Sequence, residues 1–136
     1  MKVFSLYFCI AILWTQLYAT EYVVVVNKNI KSLHLGQIKA FFLKKTSYLG
    51  DEVIVPINLS PRNPIRISFE KNILDMSFTR LKSYWTKQHY LGHRPPISVK
   101  SQATVKAFIK KVDGAIGYMK LSKVDNELTV VYRWSD

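Results

Sequence analysis

Cysteine is almost absent from this chain: of 136 residues only Cys9 is one, and it sits inside an apolar N-terminal stretch. Everything beyond it must hold together through its core, without a disulfide or a thiolate metal site. Acidic residues are scarce too, 9 against 20 Lys and Arg, and they form no evident acid–base pair of the kind an enzyme would use. The chain has no apolar run of the roughly 20 residues that a bilayer-spanning helix needs. It also has no internal repeat, no low-complexity tract and no basic block longer than a pair. Lys44-Lys45 and Lys110-Lys111 are spread out as on solvated helix faces.

The N-terminus carries a recognisable address. Met1-Lys2 is a short basic start, Val3 to Trp14 an apolar run of signal length, and Gln16-Leu17-Tyr18-Ala19 ends on a small residue. This pattern predicts a cleaved signal peptide over residues 1–19, with an uncleaved anchor as the alternative. No cysteine follows the cleavage point, so lipidation is not expected, and the product is periplasmic or otherwise exported. Residues 20–136 then form one domain with a real core. Setting Lys2 aside leaves 19 of the 20 basic residues against 9 acidic ones, a net charge of +10. That excess suits solubility, a weak attraction to anionic surfaces, or an anion ligand. Export and the missing basic blocks argue against nucleic acid.

Alternation sets the expected class. Glu21 to Val26 is an uninterrupted β-branched run, the mark of a strand covered on both faces. Leu33, Leu35, Ile38, Phe41 and Phe42 recur at helical spacing, with Ser32 or His34 as N-cap and Gly50-Asp51 as the exit turn. Val53 to Ile57 reads as a second strand, which Pro56 marks as an edge or a distortion. Ile65, Phe69, Ile73 and Leu74 form one helical stripe, and Phe78, Leu81, Tyr84 and Trp85 the next. Met76-Ser77 is the break between them. Leu91 to Pro96 cannot be helix, because Gly92 and two successive prolines forbid it. Ile97 to Val99 is a short strand. Ser101 caps a helix carrying Val105, Phe108 and Ile109, which Gly114 ends in a left-handed cap. Ala115 to Met119 and Leu128 to Trp134 are the last strands, on either side of Asp125-Asn126-Glu127. Gly117 removes a side chain where another backbone or a ligand comes close. The class is α/β, a mixed sheet of roughly five strands flanked by helices.

The candidate site is the turn Asn58 to Phe69. Asn63 is a good N-cap and Pro64 a favoured first helical residue. Free N–H groups at a helix start favour an anion, and Arg62 and Arg66 add two charged forks. Ligands of open α/β sheets sit at the carboxyl ends of strands, where this turn falls. An ordinary capped helix with two solvated arginines is the plainer alternative.

These segments, taken in order, resemble the phosphate-binding subunits of ABC transporters, which have a type II periplasmic-binding-protein fold. The shared pieces are the exported start and the Val24-Val25-Val26-Asn27 strand, then Ser32-Leu33 through Phe42-Leu43-Lys44. Val55-Pro56-Ile57-Asn58 follows, leading through Arg66-Ile67-Ser68-Phe69. Tyr84-Trp85, Gly92, Pro95-Pro96 and Gly114-Ala115-Ile116-Gly117-Tyr118-Met119 complete the series. The resemblance covers nearly all of residues 20–136 and implies a short, single-lobe member. It implies a small oxyanion, phosphate first, as ligand, no cofactor, and an ABC permease or another envelope protein as partner. Family members carry Ser-Gly-Thr before the arginine, and this chain has Asn63-Pro64-Ile65. Both hydroxyls and one N–H donor are lost. Arg66 alone carries over directly, with Ser60 and Asn63 as substitutes, Arg62 beside them and Arg94 placed on the same side by topology. The expected product is a non-enzymatic solute-binding domain for transport or sensing. An envelope docking scaffold, built from one lobe and binding no ligand, is the alternative.

The remaining constellations are weaker. His89 and His93 are four apart, but Gly92 and Pro95 oppose a helix across them, and no cysteine or nearby carboxylate completes a metal set. His34 reads as a helix cap. Ser60, Ser68, Asp75 and His89 form a triad only on paper, since no nucleophile elbow flanks either serine. Tyr84-Trp85 reads as core packing.

Overall fold

The computed structural model describes residues 19–27 and 30–136. The predicted signal peptide and Cys9 lie outside the described residues. In chain order the elements are β1 (Glu21–Val26), α1 (Leu35–Phe42), β2 (Tyr48–Leu49), β3 (Glu52–Val53) and β4 (Val55–Leu59). Then come α2 (Pro64–Phe69), a π-helical segment (Glu70–Leu74), α3 (Phe78–Tyr90), β5 (Ile97–Val99) and α4 (Gln102–Lys111). β6 (Ala115–Lys120), a 3₁₀ turn (Leu121–Lys123) and β7 (Thr129–Ser135) complete the chain.

Five strands form one mixed sheet in the order β5-β4-β6-β1-β7. β4 is parallel to both β5 and β6, whereas β1 is antiparallel to both β6 and β7. Val23 to Val26 of β1 are fully buried, as a β-branched strand covered on both faces should be. Each such side chain contributes roughly 1.5 kcal/mol or more when taken out of water. Neighbouring residues of β6 face opposite layers. A Cβ built on Gly117 would lie 2.6 Å from Val105 Cγ1 and 3.3 Å from Ile109 Cδ1 of α4. Tyr118 instead meets Phe42 of α1 at 5.8 Å and stacks on Phe69 of α2 at 4.0 Å. The close approach foreseen at Gly117 is therefore helix packing. The sheet is sandwiched between α4 on one face and α1 with α2 on the other.

Several boundaries differ from the sequence reading, each for a local reason. Helix α1 starts after His34, whose N–H donates to Gln37 Oε1 at 2.8 Å. It ends at Phe42, with Lys44 in the left-handed region (φ 58°), well short of Gly50. The intervening residues build a β2–β3 hairpin in which Tyr48 pairs Val53 and Leu49 pairs Glu52. Pro56 lies in no edge strand: β4 sits between β5 and β6. The fold tolerates it because Val55 N–H bonds Gly114 O on the β6 side, which turns the next nitrogen toward β5. There the pairing begins only at Ile57 with Ile97, so no ladder hydrogen bond is lost. Gly114 takes the predicted left-handed conformation (φ 78°), and a Cβ there would lie 1.9 Å from Val53 O. Phe78 departs from the expected stripe, being 80% exposed, and Leu81 is the one buried residue of α3.

Candidate functional site

Three of the five predicted site residues meet at the carboxyl edge of β4. Asn63 caps α2 by accepting from Ile65 N–H at 2.9 Å, with Pro64 in the first helical position. Ser60 donates to Val99 O of β5 at 3.4 Å. Arg66, one turn into α2, folds back over the strand ends. Its Nη1 donates to Leu59 O at 2.9 Å and to Ser98 Oγ at 3.2 Å. Its Nε faces Glu70 Oε1 at 3.4 Å, an ion-pair contact without hydrogen-bond geometry. The guanidinium thus bridges β4, β5 and the π-helical segment.

Beneath it lies a buried polar layer. Tyr118 OH accepts from Leu59 N–H at 3.1 Å and donates to Asn58 Oδ1 at 2.9 Å. Asn58 is itself buried in the strand. Burial pushes the Tyr118 phenol well above its ordinary range, so it remains a neutral donor. Burial also raises the Glu70 carboxyl, and the charge of Arg66 opposes that shift. Further along α2, Ser68 Oγ accepts from Trp134 Nε1 at 3.0 Å and bonds the Asp136 carboxylate. This hydroxyl serves packing between α2 and β7.

Arg62 and Arg94 do not join the cluster. Arg62 is exposed on the turn before α2, on the rim of an adjoining apolar groove. Arg94 is exposed on the loop leading into β5. Because β5 runs parallel to β4 with Ile97 opposite Ile57, that loop lies at the amino end of the sheet, away from Arg66. Ser98, Glu70 and Tyr118 are the site residues that sequence reasoning missed. The i,i+4 spacing of Arg66 and Glu70 could have flagged that pair. Ser98 reaches the site only because β5 lies beside β4. His93 Nδ1 contacts Gln88 Oε1 at 2.7 Å.

Neither a protein-family model nor a curated protein matches the chain. Solved structures do. A Clostridium perfringens protein, described as a phosphate ABC transporter substrate-binding protein with bound phosphate, superimposes at TM-score 0.67 with 21% identity. It covers 83% of this chain and 45% of its own. The fold is that of phosphate-transport binding proteins. An ABC-type phosphate transport receptor from Vibrio cholerae gives TM-score 0.65 at 14% identity, covering 84% of this chain and 47% of its own. PstS from Borrelia burgdorferi gives 0.64 at 17%, covering 83% and 47%. The chain spans about half the length of these structures, as one lobe of the fold does. Among the described residues no helix is long and apolar enough to cross a membrane.

Proposed function

We propose that residues 20–136, exported by a signal segment 1–19, form a non-enzymatic solute-binding lobe for a small oxyanion, phosphate first. It serves ABC transport or sensing in a bacterial envelope. The observation that carries this reading is the position of Arg66, at the carboxyl ends of two parallel strands beside the Asn63-capped helix start. That is where anions bind in open α/β sheets. Nη1 carries the hydrogen bonds to Leu59 and Ser98, so the Nη2 hydrogens serve the ligand, with Ser60, Asn63 and Ser98 as polar neighbours. With one lobe and no Ser-Gly-Thr cradle the site is shallow, and affinity falls near the millimolar level, about 4 kcal/mol of binding free energy.

Calorimetry and thermal shift with phosphate and sulfate test this. At ten times a millimolar dissociation constant phosphate stabilises by about 1.4 kcal/mol. Asn63→Asp keeps an oxygen cap for Ile65 N–H but sets a negative charge at the ligand. The variant should fold as the parent does and lose the phosphate response. No phosphate-dependent stabilisation of the parent protein rules the reading out.

One observation favours the docking scaffold instead: Glu70 already partners the Arg66 charge. Ile65, only 5% exposed, stands where a family hydroxyl would be. That reading predicts a parent protein indifferent to both anions.

A further inference from the structure

We infer that the groove between α2 and α3, with the basic trough beside it, is a docking site for an acidic segment of another protein that carries an apolar anchor residue. This inference goes beyond the oxyanion reading and does not depend on it.

The groove arises from the backbone. The π-helical segment Glu70–Leu74 widens the turn after α2, and Asp75 then reverses the chain in the left-handed region (φ 52°). Helix α3, capped by Ser77, leaves at an angle and packs little of itself on the domain. Leu81 is its one buried residue, and Tyr84 OH tethers it by donating to Leu43 O. A depression of about 590 Å³ opens between the two helices, floored by Ile67, Met76, Phe78 and Leu81. Ile67 is 55% exposed and Phe78 80%. So large an apolar surface, next to distorted helix, is the usual mark of a contact site.

Charge decides the occupant. At Asp75 and Met76 the groove runs into a second depression of about 530 Å³, where Lys39, Lys45, Arg80 and Lys87 face one carboxylate, Asp75. Arg62 and Lys71 line the first together with two carboxylates, Asp75 and the Glu70 that already pairs Arg66, so the net positive charge lies in the second. Among the described residues the ion pairs lie elsewhere, at Arg66–Glu70 and around Asp125 and Glu127. Among the described residues none of these six cations comes within ion-pair distance of a carboxylate. A second copy of the chain would bring a like charge of +10 to the same face, which opposes self-association. A partner with Asp or Glu beside a Leu or Phe satisfies both halves: the anchor fills the apolar groove and the carboxylates meet the trough.

The probe is a short fluorescein-labelled peptide of Glu residues around a Leu-Phe pair, with a Lys-for-Glu version as control, read by anisotropy on the full exported domain. The Glu peptide should bind, and binding should weaken with salt. Phe78→Ser, at a site with little fold contact, should weaken it about tenfold, and Lys45→Glu/Lys87→Glu should abolish it. Circular dichroism confirms that both variants fold. Equal binding of the Lys peptide, or unchanged binding in both variants, overturns the proposal. Binding to phosphatidylglycerol vesicles but not to the peptide overturns it in favour of a membrane surface. A dimer in sedimentation that Phe78→Ser dissolves overturns it in favour of self-association. Phosphate titrations run in parallel report on Arg66 separately.

Discussion

Tyr118 shows how one side chain ties site to core. Its ring stacks on Phe69 while its hydroxyl satisfies Leu59 N–H and Asn58 Oδ1, both buried. Tyr118→Phe keeps the ring and orphans both groups, so it should cost about 1–3 kcal/mol in denaturant unfolding. Glu70 makes a prediction about pH. Its folded-state pKa is raised, chiefly by burial, so the neutral carboxyl is the form the fold prefers. Its stabilising contribution is complete below the ordinary value of 4.5 and is lost as pH rises through the raised one. Acidification from neutral pH should therefore stabilise the parent protein relative to Glu70→Gln, which cannot titrate. Urea midpoints of the two proteins measured from pH 7 down to 4 check this, and a constant difference would contradict it. Asn63 and Arg66 were legible in the sequence, since a cap before proline and a basic residue one turn later have local causes. Ser98 was not, because its role depends on which strand lies beside β4, whereas the Glu70 pairing has a local cause in its i,i+4 spacing to Arg66.

Elements followed the sequence wherever their causes were local. Glu21–Val26 forms as predicted because four consecutive buried valines suit a strand with both faces covered. Ser101 caps α4 by accepting from Thr104 N–H at 3.1 Å. The β2–β3 hairpin was not legible, because two-residue strands have no periodicity to read; its Val53 O lies so close to Gly114 that a Cβ there would collide with it. Gly114→Ala should be among the most damaging single changes, since it meets a fixed carbonyl and a positive φ together. Gly117→Ala meets instead the movable Val105 side chain and should cost about 1–3 kcal/mol. Combined with Val105→Ala, it should cost less than the sum of the two single changes. Thermal unfolding of the four proteins measures that coupling.

For the whole molecule, the chain spans about half the length of its structural neighbours, and in the proposed function its Arg66 works at an open carboxyl edge. An oxyanion held there stays open to water, which explains why weak phosphate binding is expected. The excess charge also has a distribution. Lys106 and Lys110 are neutralised by Asp125 and Glu127, whereas the cations beside α3 are not. The positive field is therefore concentrated next to the apolar groove. Raising ionic strength should weaken the acidic-peptide contact strongly, because its charges are exposed, and the phosphate contact at half-buried Arg66 less. Parallel titrations at low and high salt measure the difference.

The sequence by itself determined the α/β class, the chain order of the strands and longer helices, and the capped turn with Asn63 and Arg66. Each follows from side-chain periodicity, capping or glycine geometry within a few residues. Only the tertiary structure decided that Arg66 bridges β4, β5 and Glu70, that Arg94 lies at the other end of the sheet, and that α3 stands half free with Phe78 in solvent. Those outcomes depend on strand neighbours and on the angle at which the chain leaves a π-turn. Contacts between residues distant in sequence set both.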